Sequence, residues 1–226
     1  MGFHLKSFKA SAALVRGRAV VLGGSAELTY PLATGGQVLG ILATNTAHDA
    51  MGDVYLLGDC PIAEADEVIA IGDLLKASIT TGKLAVAAAS VTLDCSNALS
   101  DVSLVAKKAY QGIAGNLISI TLADPGVQNQ ALACTVSGFD ITVNLATGAD
   151  PGHAITSTGA EVAAIINATA AAALLVTADD EGAGTGVVNA KAKTYLRGGE
   201  GAFARAMKAA TADGDYIAVD IIGGAS

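Results

Sequence analysis

The chain has 226 residues, and its 13 basic and 21 acidic side chains give a formal net charge of −8. Proteins that bind nucleic acid or anionic lipid surfaces need clustered Lys and Arg, so this balance argues against both partners. No uninterrupted stretch of about 18 large apolar residues is present, and we therefore expect a soluble protein without a spanning helix. Charged residues make up only 15% of the chain, against roughly 25% in an ordinary domain. A surface with so few charges is typical of one that partners cover.

Short β-strands separated by glycine and aspartate turns are predicted from residue 17 to about residue 89. Thr80-Thr81-Gly82 lies between two of these segments and indicates a hairpin turn. Many short strands with regular turn signals are typical of a small β-barrel or β-sandwich. The predicted strands are 18–22, 37–42, 53–57, 67–71, 74–79 and 83–86.

Antiparallel strands and one helix are predicted from residue 91 to residue 198. Thr158 and Glu161 have the spacing of a capping box, so we expect a helix over 159–175. Its apolar stripe includes Val162, Ile166 and Leu174. A flexible acidic loop is expected at 179–186. The predicted strands are 102–109, 117–122, 131–136, 139–145 and 191–196, with a glycine turn at 112–116.

The last part of the chain returns to the pattern of the first part. Residues 202–210 fit either a helix or a strand, and the Asp213-Gly-Asp215 turn favours a strand within a hairpin. A final strand is predicted at 216–222. The sequence therefore predicts a discontinuous β-rich domain, 1–90 with 199–226, into which an α+β domain, 91–198, is inserted. The fold class is mainly β with an α+β insertion.

No pattern in the sequence predicts a catalytic residue, a cofactor or a metal site. The three histidines are isolated. His48 is the only one beside a carboxylate, that of Asp49; adjacent residues of a strand would point to opposite faces, and we expect this pair to be part of a loop. The glycine-rich segment 182–186 lacks the features of a dinucleotide or phosphate loop. The cysteines are expected to be unbridged, buried thiols: Cys60, Cys95 and Cys134. We therefore expect a protein that is not an enzyme.

Several loose motifs of the predicted outer domain carry a family resemblance. They are Gly17–Leu22, Gly40-Ile-Leu42, Ile71-Gly-Asp-Leu-Leu75, Thr81-Gly-Lys-Leu84 and the ending 204–220 with its Ala-Asp-Gly-Asp turn. In this order they resemble the capsid decoration (cement) proteins of tailed bacteriophages, over about half of the chain. The segment 91–198 resembles a module that recurs in phage virion proteins, on marks such as Gly112-x-x-Gly-Asn116 and Gly184-Thr-Gly-Val-Val188. Decoration proteins usually have only the compact outer domain, so this insertion is a departure.

The resemblance implies a structural virion protein on the outer surface of the mature capsid, made in the cytoplasm of the bacterial host. Such proteins bridge neighbouring copies of the major capsid protein and commonly assemble as homotrimers, and in other cases as dimers. The inserted domain either projects outward or forms the contact between copies. Two other classes stay open: a tail tube or tail sheath accessory protein, and a surface carbohydrate-binding module.

The N-terminal arm, residues 1–16, is the candidate capsid contact. It combines apolar and cationic side chains in an otherwise acidic chain that is poor in aromatic residues. Either it is a tether laid on the shell, or it is a first strand whose phenylalanines join the core. The candidate contact residues are Phe3, Leu5, Lys6, Phe8, Lys9 and Arg16.

Overall fold

The computed structural model describes residues 5–32, 37–95 and 99–223. The chain forms two compact units, one made of Met1–Ala87 with Glu200–Ser226 and the other of Ala88–Gly199. That the second unit is an independent insertion into the first stays a prediction.

The described part of the chain is mainly β-structure, as predicted. The strands, numbered along the chain, are β1 Leu5–Lys9, β2 Ala19–Leu22, β3 Leu28–Thr29, β4 Gly40–Leu42, β5 Met51–Tyr55, β6 Ile62–Glu64, β7 Leu74–Ala77, β8 Leu84–Val86, β9 Ser90–Leu93, β10 Val102–Ala106, β11 Ser119–Ala123, β12 Ala133–Ser137, β13 Asp140–Asn144, β14 Val176–Asp180, β15 Lys191–Tyr195, β16 Ala204–Ala206 and β17 Tyr216–Ile221. The helices are α1 Gly159–Ala168 and α2 Ala170–Leu175, with 3₁₀ turns at Lys108–Tyr110 and Gly112–Leu117. The described helices all lie in the second unit.

The first unit contains two five-stranded antiparallel sheets, in the orders β1-β5-β4-β2-β3 and β6-β17-β16-β7-β8. The second of these joins the two ends of the sequence, because β16 pairs with both β7 and β17. A single parallel bridge between Ala65 and Leu84 links the outer strands of that sheet. No continuous ladder closes a sheet within the described residues, so the barrel alternative of the sequence prediction is not formed.

Both faces of the first sheet are buried against apolar residues. Ala19 and Ile41 belong to a core that also contains residues of β7, β16 and β17. Their neighbours Val20 and Leu42, together with Val54, belong to a second core. Successive side chains of a strand project to opposite faces, which explains why neighbours enter different cores. The two sheets of the first unit therefore share one core, and the first sheet has a further core on its other face.

The second unit has one apolar core between helices and two sheets, in the orders β14-β10-β9 and β12-β13-β11-β15. The sequence predicts antiparallel strands here, and this is wrong for one pair. β11 and β13 run parallel, with Ile120 opposite Ile141. Parallel neighbours need a long connection, and β12 is part of that connection because it pairs antiparallel with β13.

The predicted capping box is confirmed, but the predicted helix is two helices. Thr158 Oγ1 accepts a hydrogen bond from the N–H of Glu161, and the Glu161 carboxylate accepts one from the N–H of Thr158. The helix expected to reach residue 175 is interrupted at Thr169, whose ψ is 107°. The Thr169 hydroxyl donates to the carbonyl of Ile165, a local bond that competes with regular helix. Leu174, expected on the apolar stripe, is 70% exposed.

Three further local predictions are corrected. Residues 67–71 are not a strand, because the carboxylate of Asp73 accepts a hydrogen bond from the N–H of Ala70 and shapes a turn. Residues 112–116 are 3₁₀ helix instead of an open glycine turn. Asp179 and Asp180, assigned to a loop, end β14.

No helix among the described residues has both the length and the apolar character to cross a bilayer.

Candidate functional site

The predicted contact segment is a strand of the first sheet over most of its described length. β1 pairs with β5 along all five residues, with Leu5 opposite Tyr55 and Lys9 opposite Met51. Ala10 and Leu14, which follow, are buried. Phe3 lies outside the described residues. Residues 5–14 are thus part of the fold, and their contact with a shell stays a prediction.

The side chains of β1 differ in how far they are buried. Phe8 is half-buried and packs against the core that contains Val20 and Leu42. Leu5 is 46% exposed, and Lys6 is exposed as well. Of the candidate contact residues on this strand, Phe8 therefore stabilises the unit itself, whereas Leu5 and Lys6 are available at the surface.

Lys9 is held by two carboxylates. Its Nζ lies 2.7 Å from Oδ1 of Asp49 and 3.1 Å from Oε1 of Glu27. The hydrogen bond to Asp49, followed by the one to Glu27, raises the pKa of Lys9 above its ordinary value. The same hydrogen bond lowers the pKa of Asp49. A lysine already paired in this way has less charge to offer a partner, so Lys9 is a weaker contact candidate than Lys6.

Arg16 lies apart from the β1 side chains and is close to Tyr216, the first residue of β17. Its guanidinium carbon is 5.9 Å from the centre of the Tyr216 ring, within the range of a cation–π contact. Its backbone N–H donates to Oδ1 of Asn45 at 2.9 Å. The structure therefore separates the predicted contact residues into an edge-strand group and Arg16.

An ion-pair network around a buried carboxylate joins the segments that carry the family resemblance. Glu64, at the end of β6, is 7% exposed and receives Nε of Arg18 at 2.8 Å and Nζ of Lys83 at 3.2 Å. Lys83 also binds Asp213 at 2.7 Å. Burial by itself raises the pKa of Glu64, but the hydrogen bonds from Arg18 and Lys83 outweigh burial and hold it below its ordinary value.

Sequence reasoning missed the central residue of this network. Arg18, Lys83 and Asp213 all lie in segments that were singled out, but Glu64 belongs to no motif. The available signal was an acidic residue between two alanines in a short apolar run, Ile62-Ala-Glu64-Ala65. A buried carboxylate must be paired, so the nearby cations of the predicted strands were its natural partners.

The expectation of a loop at His48 and Asp49 is confirmed. Asp49 adopts a positive φ of 64° in a turn, which brings its Oδ2 to 3.2 Å from Nδ1 of His48. Both side chains are exposed. Within residues 5–32, 37–95 and 99–223, no three His, Cys, Asp or Glu side chains form a group that fits a metal ion.

The cysteines are unbridged, as expected, but they are not all buried. Cys95 is buried, Cys134 is half-buried and Cys60 is exposed. Burial raises the pKa of the Cys95 and Cys134 thiols, which keeps them in the unreactive protonated form.

The surface so described is suited to non-covalent contact. Leu5 offers an apolar side chain, while Lys6 and Arg16 offer cations without a carboxylate partner among the described residues. Each of these side chains is carried by backbone that is hydrogen-bonded to a neighbouring segment.

Comparison with protein-family models and with curated proteins finds no match to this chain.

Proposed function

We propose that this protein is a structural virion protein that binds the outer surface of the mature phage capsid and bridges neighbouring major capsid subunits. The observation that supports it is the pairing of the segments that resemble decoration proteins. Leu75 pairs with Ala204, and Lys83 binds Asp213 across 130 residues of sequence. Segments from both ends of the chain thus form one unit, as expected if that unit is the part that binds the shell.

The physical task of such a protein is to hold two capsomers together. Packed DNA presses the shell outward, and a clamp across two subunits adds a binding free energy that must be lost before they separate. A site that exists only on the mature lattice makes binding conditional on maturation, because a ligand stabilises the state that it binds. Assembly as a homotrimer multiplies weak contacts through effective concentration.

The test is to incubate the purified protein with mature shells that lack it and to locate added density by cryo-electron microscopy. Immature shells of the same phage are the matched control. Density between subunits on the outer face of mature shells, and none on immature shells, is expected. Binding to tails alone, or to neither particle, would overturn the proposal.

The edge-strand residues give a sharper version of this test. Leu5→Ser combined with Lys6→Ser removes the exposed apolar and cationic side chains of β1 and leaves Phe8 in the core. We expect weaker binding to shells, measured by co-sedimentation, by about tenfold. Leu174→Ser, which also replaces an exposed leucine but in the second unit, is the matched control and should bind as the unmodified protein does.

A further inference from the structure

A cleft in the first unit combines aromatic, apolar and cationic side chains. Its volume is about 440 Å³, and its lining includes Tyr55, Tyr216, Ile62 and Arg16. Clefts of roughly 300–1,000 Å³ are the usual size of sites that enclose a small group. Leu5 lies directly opposite Tyr55 in the β1–β5 pair, so this exposed leucine extends the same face toward the cleft.

The segment that carries Arg16 is held rigidly. Four consecutive backbone N–H groups each donate a hydrogen bond across to another part of the first unit. The pairs are Leu14 to the carbonyl of Thr46 at 2.8 Å, Val15 to the hydroxyl of Tyr30 at 2.7 Å, Arg16 to Oδ1 of Asn45 at 2.9 Å, and Gly17 to the carbonyl of Leu42 at 2.8 Å. A site whose backbone is already ordered loses less conformational entropy when a ligand binds.

Gly17 allows the Tyr216 ring to lie close to this segment. Gly17 has a φ of 77°, and a Cβ added at this position would lie 3.0 Å from Cε1 of Tyr216. Any other residue would therefore press on the ring. The guanidinium of the neighbouring Arg16 lies 5.9 Å from the centre of the same ring.

The charge of Arg16 is not neutralised by a carboxylate among the described residues. Two lysines of the first unit are neutralised, in contrast: Lys9 binds Asp49 and Glu27, and Lys83 binds Glu64 and Asp213. A guanidinium presents a planar set of donors that matches a carboxylate. The cleft therefore has an anion-binding group beside a lining that suits an apolar or aromatic side chain.

We infer that this cleft docks a segment of a partner polypeptide in which an apolar or aromatic side chain stands beside a carboxylate. The side chain packs between Tyr55 and Tyr216, and the carboxylate binds the guanidinium of Arg16. Tyrosine and arginine are among the residues enriched where interfaces derive most of their affinity. The inference rests on the proposed function for the identity of the partner, an exposed segment of the major capsid protein.

The first experiment uses small probes and needs no shell. The full chain is titrated with 3-phenylpropionate, 3-phenylpropan-1-ol and 3-phenylpropylamine, and backbone amide shifts are followed by heteronuclear NMR. We expect saturable shifts at Gly17, Ala43 and Ile62, with the carboxylate binding about fivefold more tightly than the alcohol and the amine binding most weakly. Equal affinity for the three probes, or no shifts at these residues, would overturn the inference.

Two substitutions distinguish the contribution of the Arg16 charge to probe binding from that of the Tyr216 ring. Arg16→Gln should reduce the affinity for the carboxylate to that for the alcohol, whereas Tyr216→Ala should weaken all three probes. Arg197→Gln makes the same chemical change at an exposed arginine of the second unit and should leave the titrations unchanged. The amide spectrum of each variant reports whether it is folded. Selectivity for the carboxylate that survives in Arg16→Gln would overturn the inference.

A titration with methyl β-glucoside tests whether the cleft binds carbohydrate instead. Shifts with the sugar alone would assign the cleft to carbohydrate and overturn the inference.

The second experiment separates this inference from the proposed function. If the unmodified protein and Arg197→Gln bind mature shells but Arg16→Gln binds about tenfold more weakly, the cleft is the contact. If Arg16→Gln binds shells as well as the unmodified protein does, the inference is overturned and the proposed function stands. If none of the proteins binds shells, the proposed function fails, and the probe titrations decide the cleft by themselves.

Discussion

Glu64 shows how a single residue sets the pH dependence of the first unit. Its pKa in the folded state lies below the ordinary value of 4.5, because hydrogen bonds from Arg18 and Lys83 outweigh the effect of burial. A depressed carboxyl pKa adds stability above the unfolded-state pKa, and this stability is lost as the pH falls through the folded-state pKa. The free energy of unfolding should therefore decrease as the pH is lowered through and below 4.5.

Glu64→Gln tests this account. The variant leaves two half-buried cations without their shared carboxylate, so we expect a loss of about 2 kcal/mol in the free energy of unfolding at neutral pH. The difference from the unmodified protein should shrink on acidification, as measured by urea unfolding along a pH series. Glu181→Gln, at an exposed position of the second unit, serves as the control. A difference that stays constant with pH would contradict the role given to the Glu64 carboxylate.

Gly17 is required by its backbone conformation and by its neighbour. Alanine at this position would have to adopt a φ of 77° and would place its Cβ 3.0 Å from the Tyr216 ring. We expect Gly17→Ala to lower the free energy of unfolding by about 1–2 kcal/mol, measured by urea denaturation. Gly24→Ala is the matched control, since a Cβ there meets no atom within 4 Å. Equal effects of the two substitutions would show that the cleft tolerates a side chain at residue 17.

At the scale of elements, the sequence predicts strands well where apolar and polar residues alternate. β13 alternates Ile141 and Val143 with polar neighbours, and β17 has the same pattern, so each has one buried face that fixes its register. The break at Thr169 has no such signal, because alanines surround it and alanine favours helix. The parallel pairing of β11 and β13 is also invisible in the sequence, since it depends on contacts between distant segments.

The capping box of α1 allows a test of one element by itself. Thr158→Ala removes the hydroxyl that accepts from the N–H of Glu161 and should cost about 1 kcal/mol of stability. Thr158→Ser keeps the hydroxyl, and because serine is at least as good an N-cap residue as threonine, stability should hardly change. Native-state hydrogen exchange at the first turn of α1 is the measurement, because it reports local opening. Faster exchange in Thr158→Ser equal to that in Thr158→Ala would mean that the cap is not the cause.

At the scale of the whole molecule, the contact residues were harder to predict than the strands. Leu5 and Lys6 are exposed as a contact requires, but Phe8 and Lys9 are used within the first unit, by core packing and by ion pairs. Composition alone cannot separate these roles, because both require apolar and cationic side chains. What separates them is the position along β1. Near its end, Phe8 meets the core and Lys9 meets two carboxylates, whereas Leu5 and Lys6 lie at its beginning and are exposed.

The organisation of the chain predicts that the first unit folds without the second. The buried clusters of the two units share no residue among those described. Ser90 and Arg197 exchange two backbone hydrogen bonds, of 2.8 and 2.9 Å, so the two ends of the second unit lie side by side. Insertion of a domain is tolerated where its two ends lie close together.

Replacing 88–199 by a short Gly-Ser linker should therefore leave a cooperatively folding protein, with dispersed amide signals and a single thermal transition. The isolated segment 88–199 is the complementary control and should also fold, because its core is complete in itself. If either piece gains structure only when the two are mixed, the units are halves of one folding domain and the insertion is refuted.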